Sequence, residues 1–287
     1  MAWHVEDRAA QDIIAGMGPT ADRPREIEMT GPSADRATYL YCVVRMASRP
    51  RMARVPEGMP HGGRPTALEA APSMWLIVSE VPLAKYGADP LESTLKDLDS
   101  VAELAVAHEA VVEYFARNSD ASVVPMKMFT MFSSAELAVS EMRARRKNIK
   151  AVLDRVARSE EWGVRVTAKP PRVLRAPVQR PRTGTAFLTA RKKTRDQLRA
   201  AARQSTEAAT RVFKELSRFA KDSRQRDEVP PGAIAPLLDA AFLIPVRQRA
   251  EFRRAVNRLA RTCAEAGADL TVTGPWPAYN FVQMSGD

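Results

Sequence analysis

One histidine in this chain stands where proton chemistry is conceivable. His108 falls within the run LAVAHEAVVEYF at residues 104–115, with Glu109 and Glu113 nearby. A general base needs a nucleophile or partner group converging on it, and none is recognisable in the surrounding sequence. His108 also falls on the apolar stripe of its own helix, between Leu104 and Phe115. It therefore reads as a core histidine with one satisfied nitrogen rather than as a base. His4 and His61 are scattered, and Cys42 and Cys263 lie far apart among apolar neighbours. No His/Cys metal cluster can be assembled from them, and two buried thiols in a reducing cytoplasm is the plainer reading of the cysteines. The chain has no G-x-S-x-G, Walker, dinucleotide or H-E-x-x-H pattern. No catalytic, cofactor or metal site is expected, and no cofactor.

The other chemistry on offer is electrostatic. The formal net charge is +10, with a sequence pI near 9.9. Arg191, Arg195, Arg199 and Arg203 recur every four residues, so on a helix they form a basic ridge. Such a ridge could track phosphates or dock an acidic protein, and a solvated helix face is the plain alternative. Exposed aromatics do not interleave with it, which weakens a base-stacking role and makes nucleic acid an unlikely partner. These four arginines are the candidate partner-binding residues. The closing run GPWPAYNFV at 274–282 combines two prolines with Trp276, Tyr279 and Phe281, and reads as a clamp on the core more than as a set of partner anchors.

These residues are carried on a pattern of alternating strands and helices. Residues 1–36 mix charges with Gly, Pro, Ser and Thr and read as a flexible tail. TYLYCVVR at 38–45 is a nearly continuous apolar strand, expected at the centre of a sheet. Residues 46–72 carry five prolines and three glycines and read as a long surface loop. MWLIVSEV at 74–81 is a second strand. Ser100-x-x-Glu103 and Ser133-x-x-Glu136 are capping boxes that start two helices, on either side of a strand at 123–128, where Pro125 argues for an edge or a bulge. EWGVRV at 161–166 alternates as a fourth strand. This order, with the loop replacing the first helix, predicts a ferredoxin-like α+β domain over 37–168, a four-stranded sheet with helices on one face. Residues 169–183 form a Pro/Arg-rich linker. Residues 184–287 form a C-terminal α+β domain: a long helix to about 226, broken at 229–232, then a small β-α-β unit of a strand at 240–246, a helix at 249–266 and a strand at 269–273. No apolar run is long enough to span a membrane, and no secretory signal is evident.

Several of these segments, in this order, resemble the gas vesicle protein F/L family (GvpF/GvpL). They are Tyr39-Leu40-Tyr41, the HEAVV of residues 108–112, Val124-Pro125-Met126-Lys127, Thr130-Met131-Phe132 and the EWGVRV strand. In the second half they are Phe187-Leu188 with Arg191 and Lys192, the AFLIP of 241–245, and the TGPWPAYNFV of 273–282. The family usually shows a P-L-R-F-G-T-V-F-like segment, and here Met128 and Phe129 stand where Phe and Gly are expected. The resemblance implies a non-enzymatic, cytoplasmic and gas-vesicle-associated assembly factor. Its partners would be the short, very apolar shell protein (GvpA type) and other gas vesicle accessory proteins. A basic nucleic-acid-binding module is the alternative that the charge alone suggests.

Overall fold

The computed structural model describes residues 35–169, 184–226 and 235–282. The expected tail (except its last two residues), the expected linker (except Lys169) and the break at 229–232 lie outside the described residues. Two compact units are formed, one running up to Ser159 and taking back the chain from Trp276 onward, the other from Glu160 to Pro275.

The first unit contains β1 (Arg36–Arg45), β2 (Thr66–Ala71), β3 (Met74–Pro82), the short helices α1 (Leu83–Tyr86) and α2 (Ala88–Thr94), and α3 (Leu98–Ala116). After these come β4 (Ser122–Pro125), β5 (Met131–Phe132), α4 (Ala135–Ala144) and α5 (Arg146–Val156). Strand order is β2-β3-β1-β4, with β5 also on β1, and the pairings are antiparallel. The apolar run in β1 takes the expected central place: its residues 37–44 are all buried, with β3 on one side and β4 and β5 on the other. Pro125 sits on the edge strand β4, where its missing N–H leaves no ladder position empty.

The layer is the expected one, but its strands are not all the expected ones. Glu161–Val166 was to be its fourth strand; the structure places that segment in the second unit, and β2 fills the vacancy from within the predicted loop. The sequence of β2, TALEAA, has no aromatic residue and only one β-branched residue, so intrinsic preference gives it away poorly. Pairing imposes the strand, through a tight turn to β3 with Ser73 at a φ of 62°. Arg49 and Arg143 donate to the Ala67 and Ala70 carbonyls, at 3.2 and 3.0 Å. Two guanidinium groups thus occupy carbonyls of an edge strand, which discourages pairing with another chain.

The rest of the expected loop forms no helix or strand and keeps many exposed residues, but it is pinned to the core. Val55 and Met59 are buried in the first core, and the Met59 N–H donates to the Tyr41 hydroxyl at 2.8 Å. Gly58 permits this approach. Its φ is +85°, and a Cβ there would collide with the Tyr41 oxygen. Helix starts also move. Asp97, not Ser100, caps α3 and accepts from the Ser100 N–H at 3.2 Å. Ser134, not Ser133, caps α4 and accepts from the Leu137 N–H.

The second unit contains β6 (Ser159–Ala168), α6 (Gly184–Leu216), β7 (Asp222–Gln225), β8 (Leu238–Pro245), α7 (Arg249–Glu265) and β9 (Ala268–Trp276). Its sheet order is β7-β8-β6-β9. Numbered within the unit, that is second, third, first, fourth, the same spatial order as β2-β3-β1-β4. The chain therefore builds a β-α-β-β-α-β layer twice, complete in the second unit and with a loop in place of the first helix in the first. Trp162, Val164 and Val166 alternate onto the second core, which is the physical reason β6 belongs there. Gly267, at a φ of +75°, follows the end of α7 as expected. Cys42 and Cys263 are free and buried.

One buried carboxylate ties the second sheet together. Asp239 of β8 accepts from Arg165 of β6 at 2.7 and 2.9 Å, and from Arg226 beyond β7 at 2.5 and 2.8 Å. Both guanidinium groups keep some contact with solvent, whereas the Asp239 side chain is only 6% exposed. Replacement Asp239→Ala leaves two cations facing each other and is expected to cost about 3 kcal/mol of unfolding free energy in urea titration. For Gly58→Ala, the collision and the positive φ together predict a loss of about 2 kcal/mol by the same measurement.

Candidate functional site

His108 is 2% exposed and sits inside the first core. The Tyr39 hydroxyl lies 2.8 Å from its Nδ1 and also accepts, at 3.3 Å, from the Phe129 N–H. Which of the two atoms donates in the Tyr39–His108 bond is set by the imidazole tautomer, since the hydroxyl has a second acceptor site beside the one Phe129 uses. Tyr41 stacks beside the ring, accepts from the Met59 N–H and shares a hydrogen bond with Ser79 Oγ at 2.8 Å. From the far end of the chain, Tyr279 donates to Glu109 Oε2 at 2.5 Å, and Phe281 is fully buried. The aromatic run at the C-terminus is thus a clamp on the first unit, as its composition suggested.

This cluster is chemically quiet. Burial pushes the His108 pKa down to about 4, with the Met126 backbone pulling the other way, so the ring is neutral near pH 7. Burial raises Tyr39 and Tyr41. Burial, followed by the neighbouring Glu109 charge, also raises Cys42, so its thiol is a poor nucleophile. The Phe129 turn completes the picture. It stands where the family resemblance expects glycine, and it keeps a left-handed φ of 62°. The turn is retained at a cost of order 1 kcal/mol in backbone strain, offset by packing of the phenyl ring against the core.

The pH dependence has a definite sign. The unfolded chain takes up a proton on His108 below about pH 6.5, whereas the folded chain refuses it until about pH 4. Stability is full above that window and falls as pH drops through it, by about 3 kcal/mol at its lower end. His108→Gln is expected to lower stability at pH 7 but to flatten the profile between pH 6.5 and 4 in urea titrations at stepped pH. An unchanged profile would remove His108 as the source.

The arginine ridge lies where the spacing put it. Arg191, Arg195, Arg199 and Arg203 all sit on α6 and are all exposed. Apart from a 4.0 Å contact between Arg195 and its neighbour Asp196, none of the four makes a salt bridge among the described residues. More important is what α6 does with its apolar face. Ser205, Ala208, Ala209, Val212 and Leu216 are buried in the second unit. Leu198 and Ala201 continue the same face toward the N-terminus and are exposed, as is every described residue from Leu188 to Gln204. These 17 residues of helix, roughly 25 Å at about 1.5 Å per residue, are therefore clothed by nothing in the described structure. Shallow depressions run along this bare half, lined by Thr189, Lys192, Lys193, Asp196 and Arg199 among others. Among the described residues, no group of three or more His, Cys, Asp or Glu could hold a metal ion, and no helix is long and apolar enough to cross a membrane.

Comparison with known proteins covers both units. The family model described as "Gas vesicle synthesis protein GvpL/GvpF" matches residues 37–283. Gas vesicle protein L of Streptomyces sp. (strain CB03234) is 27% identical over 264 residues, spanning 88% of this chain and 95% of that protein. In fold, the chain is similar to the crystal structure of the gas vesicle protein GvpF from Anabaena sp. PCC7120. That match has a TM-score of 0.62 at 16% identity and covers 88% of this chain and 98% of the other. GvpF from Microcystis aeruginosa matches with a TM-score of 0.58 at 13% identity, over 86% and 99% of the two chains. With the match running from β1 through the C-terminal clamp, the chain belongs to the GvpL/GvpF family of gas vesicle synthesis proteins.

Proposed function

We propose that this chain is a non-enzymatic assembly factor of gas vesicles, acting in the cytoplasm and at the vesicle. Its work is to bind the apolar shell protein, and other accessory proteins, while the vesicle nucleates or grows. The observation that carries this reading is the family match across both units. Physical logic supports it. A short, very apolar shell subunit is an aggregation hazard in water until it is inserted, and a protein with exposed amphipathic helix can cover such a surface reversibly.

The docking surface in this proposal is the bare half of α6, with Arg191, Arg195, Arg199 and Arg203 as the charged contacts. Nucleic-acid binding remains the competing reading of the same cations, and salt dependence separates the two. The chain, immobilised at low ionic strength, is expected to retain purified shell protein, and to lose part of it when Arg195→Glu and Arg199→Glu are combined. No retention of shell protein at any salt, together with steeply salt-dependent retention of RNA or DNA, would contradict the proposal.

A further inference from the structure

The arginines of α6 share their face with exposed leucines. Leu188, Arg191, Arg195, Leu198 and Ala202 step by three and four residues, so two leucines bracket two arginines on one side of the helix. Leu188 is 64% and Leu198 48% exposed. Between Leu188 and Gln204 there are six cations (Arg191, Lys192, Lys193, Arg195, Arg199, Arg203) against one carboxylate (Asp196), a balance of +5. An isolated helix of this length is marginal in water, and arginines four apart repel one another. The feature wants an acidic, apolar helical surface laid against it.

The chain itself carries such a surface. In α3, one face is buried through Val101, Leu104, His108, Val111, Val112 and Phe115. On its flank Leu98, Ala102 and Val106 step by four, with Leu98 70% and Val106 65% exposed. Asp99 and Glu103 run directly alongside and are exposed. From Asp97 through Glu103 there are three exposed carboxylates and no lysine or arginine, in a protein whose net charge is +10. The α3 helix has 19 residues, about 28 Å of axis, close to the length of the bare half of α6. Sign, apolar spacing and length correspond.

We infer that the bare half of α6 docks on the exposed flank of α3 in a second copy of this chain. Leu188 and Leu198 would pack with Leu98 and Val106, and Arg191, Arg195 and Arg199 would face Asp99 and Glu103. The contact uses different surfaces on the two molecules, so each copy carries both halves of it, and the contact can be made reciprocally within a pair or passed on from copy to copy. The inference rests on the reading of α6 as a protein-docking surface and adds a second copy of this chain, which would compete with the shell protein for that surface. An interface of two helix faces is small, so association should be weak and strongly salt-dependent.

The test is a charge swap on the purified full chain with no shell protein present, so a failed shell-protein capture has no bearing on it. Sedimentation velocity at low ionic strength should show the native chain associating as its concentration rises to about 100 µM, and dissociating at high salt. Variant one carries Arg195→Glu and Arg199→Glu; variant two carries Asp99→Lys and Glu103→Lys. Each alone should weaken association at least tenfold with an unchanged circular dichroism spectrum, and an equimolar mixture should restore it. A native chain that stays monomeric throughout would overturn the inference. So would association that neither variant alters, or a mixture that is not restored.

Discussion

An apolar stripe on a helix is stable in water only when something covers it, and α6 meets that constraint along its C-terminal part alone. From Ser205 onward the stripe is packed into the second core, beside α7 and the sheet. Ahead of Ser205 the same face continues with Leu198 and Ala201, and no described residue covers it. Helix propensity alone does not pay for a projecting segment of this length, least of all with arginines at four-residue spacing. Cover by a polypeptide segment beyond the described residues would meet the constraint there. The second unit is held rigid behind it by the Asp239 carboxylate between Arg165 and Arg226 and by Glu160, which accepts from both Arg249 and Trp162. The exposed part of α6 is thus continuous with a firmly held unit.

The first unit makes the complementary case. Its titratable core groups, His108, Tyr39, Tyr41 and Glu109, hydrogen-bond inward and hold two segments in place: the loop through Met59 and the returning C-terminus through Tyr279. The buried polar network serves to specify packing, since each partner it lost would leave a desolvated polar group behind. The His108 and Glu109 positions that look most like chemistry in the sequence are therefore spent on assembling the fold. What remains for contact with other molecules is the outer surface, and there the charge is segregated, acidic along α3 and basic along α6.

Strong periodicity made much of this visible in the amino-acid sequence. The central strand β1, the buried face of α3, the α7 helix, the Gly267 stop and the four-residue arginine ridge are all legible, because each repeats one physical signal over several turns or pleats. The failures have local causes. β2 is alanine-rich and becomes a strand only because β3 pairs with it and arginines occupy its edge carbonyls. With β2 hidden, the pattern places Glu161–Val166 in the first sheet, whereas its alternation marks it as a strand of the second. Ser100 and Ser133 mimic caps, but Asp97 and Ser134 do the capping. β7 hides behind α6 because DSRQ carries no strand preference. The exposure of the outer half of α6 is not legible at all, since an apolar stripe in sequence looks the same whether or not a partner covers it.

The most direct test of the account is to place a photoreactive amino acid at Leu198 and irradiate cells that are forming gas vesicles. The account predicts adducts with polypeptides, either gas vesicle proteins or a second copy of this chain, and the same probe at the buried Val212 should give no adduct to another molecule. Adducts to RNA, or none from Leu198, would contradict it.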